Sequence, residues 1–75
     1  MGRLSGFNGR EIMRVAESDG WVHLRTSGDH HVFRKPGIAE NVSNPDHRPV
    51  KEGTLRTILT KMRMKPNDFL SAARK

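Results

Sequence analysis

The spacing of apolar side chains along the chain changes period, and each change predicts an element. Between residues 8 and 19, Ile12, Val15 and Ala16 fall on one side of a helical projection, with Arg10, Arg14 and Glu17 opposite. The ends of this first helix are marked too. Asn8 can cap the orphan amides of the first turn, and Glu11, three residues on, can reach back to complete a capping box. Phe7, ahead of the cap, can staple onto Ile12. Asp19-Gly20 supplies the stop, because glycine enters the left-handed region freely. Residues 1–7 lack periodicity and contain Gly2 and Gly6, so they are expected to form a flexible leader before one domain spanning residues 8–75.

From Trp21 the period falls to two. Trp21 to Thr26 and His30 to Lys35 are rich in β-branched, aromatic and long side chains, and Ser27-Gly28-Asp29 between them has the composition of a tight turn, predicting a hairpin. Strict alternation puts Val22 and Leu24 on one face of the first strand, with Trp21, His23 and Arg25 on the other. In the second strand Phe33 shares a face with His31 and Lys35. If Phe33 enters the core, His30, Val32 and Arg34 look outward. Pro36-Gly37 turns the chain into a short third strand around residues 40–43, and residues 44–49 are expected to be a polar loop.

Leu55, Ile58, Leu59 and Met62 then restore the i, i+3, i+4, i+7 stripe of a helix over about residues 52–63. Pro66 suits the first turn of a short last helix, which Phe69 and Leu70 would dock. Helix, three antiparallel strands, helix and short helix make a two-layer α+β domain, with both longer helices on one sheet face. This arrangement resembles the double-stranded-RNA-binding fold and leaves the other face for a ligand or partner chain.

Charge narrows the ligand. Fourteen Lys and Arg against eight Asp and Glu give a net charge of +6, which favours a polyanion or an acidic protein. The cations are spread along the chain, as on a folded basic surface. With no Cys there is no disulfide or thiolate metal site, and this composition suits a reducing cytoplasm. Apolar runs are far shorter than the roughly 20 residues that span a bilayer, so no membrane role is expected.

Within this basic chain, Gly28-Asp29-His30-His31-Val32-Phe33 sets adjacent imidazoles after a turn, and imidazole is the side chain that most readily exchanges protons near neutral pH. RNA carries its own nucleophile in the 2′-hydroxyl. A protein that cuts it needs only to take that proton, neutralise the phosphate and protonate the leaving oxygen. His30 is therefore the candidate general base or acid. His31 and His47 are candidate second proton-transfer groups, and Asp29 can orient an imidazole. Arg25, Arg34, Lys35 and Arg56 are candidates for holding RNA phosphates. His23 reads as a surface or partner-facing residue, and Trp21 as a packing anchor. Adjacent histidines on a strand diverge and no further His stands at a familiar ligand spacing, so neither a metal nor another cofactor is expected. No nucleophile elbow or phosphate-binding glycine loop is present.

The order of these motifs resembles a known family. Asp19-Gly20-Trp21, then Arg25, then Gly28-Asp29-His30-His31-Val32-Phe33, then Lys51-Glu52-Gly53-Thr54-Leu55-Arg56-Thr57-Ile58-Leu59 is similar to the HicA-like (YcfA) mRNA interferase toxins over about residues 8–70. The resemblance implies a toxin of a type II toxin–antitoxin pair that cleaves mRNA and is blocked by a HicB-like antitoxin. The family's catalytic histidine follows a Gly-Ser or Gly-Asp pair and corresponds to His30. Three departures stand out: Asp29 where Ser is commoner, the glycine-containing leader, and Lys65-Pro66 where a capping Ser usually opens the last helix. The rival reading is a noncatalytic RNA-binding module using the same basic surface without needing His30.

Overall fold

A computed structural model describes residues 4–74. The elements are α1 Gly9–Ser18, β1 Val22–Ser27, β2 His30–Lys35, β3 Ile38–Pro45, α2 Glu52–Met62 and α3 Pro66–Ala73. The architecture is the expected α+β fold, a three-stranded antiparallel sheet in the order β1-β2-β3 with helices before and after it. Local signals set most boundaries. The Asn8 amide donates to Glu11 Oε1 at 2.8 Å as the returning half of the capping box, and Gly20 follows α1 at a φ of 95°. Pro66 opens α3, while Arg63 ends α2 in the left-handed conformation that glycine more often supplies.

The segment expected to be a leader is already part of the fold at Leu4, which is 2% exposed within the core. The Phe7 carbonyl accepts a hydrogen bond from the Val50 amide at 2.8 Å, and its ring stands edge-on to Phe69 of α3 with centroids 4.9 Å apart. Local periodicity missed this because these contacts reach across the chain. Residues 1–3 lie outside the described residues.

The sheet departs from the expected strands in register, between His23 and Arg25 of β1 and again between Phe33 and Lys35 of β2, and in length. His23 pairs with Phe33 and Arg25 with Val32, so Leu24 is an unpaired bulge. After it the faces of β1 exchange: His23 and Thr26 lie on the Phe33 side and Arg25 lies on the opposite one, so His23 and Arg25 do not share a face. The other departure is length. β3 starts right after the Pro36-Gly37 turn and runs to Pro45, opposite His30, so Asn44 and Pro45 are buried strand residues and not loop.

Phe33 and Val42 turn toward the helices and meet Ile12, Val15 and Ala16 of α1, Leu55, Ile58, Leu59 and Met62 of α2, and Phe69 and Leu70 of α3. Burying one such large side chain contributes about 1.5–3 kcal/mol. Trp21, Val50 and Leu4 complete this core. Trp21 is thus an interior residue and cannot anchor a partner, whereas Val22 and Leu24 beside it are 56% and 43% exposed. Among the described residues, no helix covers the other sheet face, which bears His30, Val32 and Arg34.

Candidate active site

Three backbone segments converge at one end of the sheet. The β1–β2 turn is tight because Gly28 takes a φ of 62°, as the first central residue of a type II′ hairpin turn does. The Asp46 amide, just after β3, donates to the Asp29 carbonyl of this turn at 2.7 Å. Gly9, opening α1, donates its amide to the His47 carbonyl at 2.9 Å. The approach is close enough that a Cβ on Gly9 would overlap the Pro45 carbonyl and lie 2.9 Å from the Asp46 Cα. A side chain of any size is excluded there, which holds the loop carrying His47 against α1.

Asp29 sits between two imidazoles. Its Oδ2 accepts a hydrogen bond from His47 Nε2 at 3.0 Å, and its Oδ1 is 3.0 Å from His30 Nδ1. The His47 hydrogen bond, with the residue's own backbone amide and the two nearby rings, holds the Asp29 carboxyl below its ordinary value. Asp29 is therefore an anion wherever a histidine could exchange protons. A carboxylate only accepts, so it favours the proton on Nδ1 of His30 and leaves Nε2 free to take one. The His30 and His47 side chains are 51% and 54% exposed, open to a macromolecular substrate.

A second histidine set lies on the helix-facing side. His31 points Nε2 at Asp46 Oδ2, 3.6 Å away, and its Nδ1 is 3.2 Å from Thr26 Oγ1 and 3.4 Å from His23 Nε2. His23 and Thr26 are themselves 3.1 Å apart. The β1 bulge creates this grouping, since only after the exchange of faces do residues 23 and 26 stand together. Sequence reading set His23 aside for lack of that register. Among the described residues, no group of three or more His, Asp or Glu is placed to hold a metal ion.

The expected RNA-binding cations divide. Arg25 pairs with Val32, on the same face as His30 and about 7 Å from it along the strand direction, and Arg34 lies on that face about twice as far away. Lys35 ends β2, far from His30, with Nζ 3.2 Å from Asp19 Oδ2. Arg56 is on α2, in the helix layer, held by Glu52 through contacts of 3.1 and 3.0 Å. The structure thus brings together His30, Asp29 and His47 with Arg25 nearby. It does not bring Lys35 or Arg56 to them, and it sets His31 in a neighbouring cluster. Two cations that sequence reading passed over, Arg10 and Arg14, line the groove beside His23 and His31. Their helical spacing showed only that they share a polar face.

The model of the family described as HicA toxin of bacterial toxin-antitoxin matches residues 9–64, which include every histidine and both carboxylates of this region. None of the curated proteins compared with the chain matches it.

Proposed function

The chain belongs to the HicA toxin family of bacterial toxin–antitoxin systems, and from that premise we propose that it is an endoribonuclease that cleaves mRNA by metal-independent histidine acid–base catalysis. The observation that carries this reading is the exposed Asp29 carboxylate with His30 and His47 each 3.0 Å from it. One anion orienting two solvent-facing imidazoles is suited to a reaction with one proton to remove and one to supply.

In the proposed step His30 Nε2 takes the proton of the ribose 2′-hydroxyl as that oxygen bonds to phosphorus. The bond from phosphorus to the 5′-oxygen breaks, and a His47 imidazolium protonates the leaving oxygen. The products are a 2′,3′-cyclic phosphate and a 5′-hydroxyl. Arg25, with Arg34 beyond it, would neutralise phosphates approaching over the open sheet face. General acid or base action of this kind contributes about 10²–10⁴-fold per group.

As a toxin of such a pair the protein has an antitoxin partner, and we take it to be HicB-like, covering the face that carries His30. Exposed Val22 and Leu24 offer that partner apolar contact beside basic Arg25 and Arg34. Among the described residues no helix is long and apolar enough to cross a membrane. Action on mRNA would place the protein in the cytoplasm.

The test is induction of wild type, His30→Ala and His47→Ala in cells, reading growth and RNA integrity together, followed by cleavage of purified RNA with and without EDTA. Wild type should arrest growth and cut RNA, His30→Ala should do neither, and EDTA should leave cleavage unchanged. A toxic, RNA-cutting His30→Ala would remove the assignment of that residue. Intact RNA under wild type would leave a noncatalytic RNA-binding module, and full inhibition by EDTA would end the metal-free reading.

A further inference from the structure

The groove between α1 and the β1–β2 hairpin has no part in the proton transfers described above. It is shallow, about 450 Å³, and is lined by Arg10, Arg14, Glu17, His23, Thr26 and His31. Phe33 and Met13 form its apolar floor. We infer that this groove is an RNA subsite for a nucleotide flanking the scissile linkage, with Arg10 and Arg14 holding phosphate and the His23–Thr26–His31 row meeting ribose or base.

Charge supports this first. Arg10 and Arg14 stand four residues apart on one helix face, so both guanidinium groups can address a single stretch of backbone. Each is exposed, and among the described residues neither forms an ion pair within 4.0 Å. Glu17 is the acidic residue of the groove lining, Asp46 faces the far side of the His31 ring, and Glu11, Asp19 and Asp68 share the neighbouring cavity with Arg14.

The second support is the polar row. Thr26 Oγ1 and the facing ring nitrogens of His23 and His31 lie 3.1–3.4 Å from one another, both donors and acceptors at the surface of an open groove. Such groups can exchange their mutual hydrogen bonds for bonds to a ribose 2′-oxygen or a base edge.

Continuity is the third support. Gly9, bonded to the His47 carbonyl, directly precedes Arg10, and His30 directly precedes His31. A strand of RNA leaving the His30 face around the free edge of β1 would next meet this groove. The inference rests on the proposal that the substrate is RNA, but it does not depend on which residue cleaves it.

The experiment titrates wild-type protein and Arg10→Ala/Arg14→Ala with a short 2′-O-methylated single-stranded RNA, which lacks the nucleophile and stays intact, at several salt concentrations. The double variant should bind about ten-fold more weakly, with the slope of log affinity against log salt reduced by about 1.4, as two lost phosphate contacts require. Glu17→Gln should tighten binding about two-fold. On adding the same RNA to wild type, the His23 and His31 ring signals should shift in NMR spectra, a readout independent of whether any variant folds. Undiminished affinity and slope in a folded double variant, or ring signals that do not move, would overturn the subsite. If wild type itself fails to bind, the RNA reading falls with it; if wild type binds and only the groove variants are silent, the subsite alone falls.

Discussion

Replacing Gly9 by Ala is expected to destabilise the protein although alanine is the better helix former. Away from tertiary contacts the change would gain up to about 1 kcal/mol of helix propensity, and less in a first turn. Here the new methyl would overlap the Pro45 carbonyl, lie 2.9 Å from the Asp46 Cα and 3.2 Å from the His47 nitrogen, all of them backbone atoms that cannot rotate aside. Overpacking of this kind costs about 1–3 kcal/mol, and separating α1 from the loop would also weaken the 2.9 Å bond from Gly9 to His47, worth about 1 kcal/mol. The net expectation is a loss of about 1–3 kcal/mol, which for a domain of this size lowers Tm by about 5–20 °C. Gly53→Ala is the internal control: it lies in α2 with nothing within 4 Å of the added carbon and should raise Tm by a few degrees. Thermal melts followed by circular dichroism give both numbers. A Gly9→Ala protein that melts at or above wild type would refute the close-approach argument, and with it the claim that this glycine positions His47.

Other expectations concern the site and the chain's beginning. Asp29→Asn should keep the fold, because the residue is exposed, yet slow RNA cleavage by about ten-fold or more, since both rings lose their anionic partner; an unchanged rate would show that the carboxylate is a bystander. Because the Asp29 carboxyl is held below 3.8, its hydrogen bond to His47 favours the folded state fully above that pH and is lost as pH falls through the lowered value. A carbon-detected NMR titration should therefore place its midpoint under 3.8, and a midpoint at or above it would contradict the described geometry. Leu4→Ala should lower stability by about 2–4 kcal/mol in a denaturant titration, because the side chain is buried; a change under about 0.5 kcal/mol would mean that residues 4–7 are not part of the core.

What could be read from the chain depended on how far its determinants reach. The ends of α1 were legible because a capping box and a following glycine act within a few residues, and the stripe of Leu55, Ile58, Leu59 and Met62 identified the buried side of α2 in the same way. Register is a pairing between strands, and one unpaired Leu24 was enough to move His23 and Arg25 to opposite faces. The extra length of β3 was equally hidden, since Asn44 and Pro45 look like loop residues until they are set opposite His31 and His30. Of the site, Asp29 and His30 were legible as neighbours, and the pairing of His47 with Asp29 became visible only in three dimensions, across 18 residues. Lys35 shows the reverse, a cation that looked available and is occupied by Asp19 from the end of α1.

The two histidine sets are tied together crosswise, and that bears on how each substitution should be understood. Asp29 and His30 lie at the β1–β2 turn, and Asp46 and His47 lie after β3, so each segment carries one carboxylate beside one imidazole. Sequence neighbours are not the only partners. Asp29 reaches across to His47, and Asp46 reaches back toward His31 on β2, with the Asp46 amide bonded to the Asp29 carbonyl between them. Each segment thus holds a ring of the other. Neither ion contact is buried, so each alone contributes little to global stability. Their effect is positional: they set where His47 stands relative to His30, and where His31 stands relative to His23 and the α1 arginines. Loss of activity on changing Asp29 would therefore combine a direct effect on the His30 tautomer with a displacement of His47, whereas changing Asp46 would act first on the groove. Comparing cleavage with binding of uncleavable RNA in these two variants separates the acid–base role from the holding role, because only the groove requires the second carboxylate.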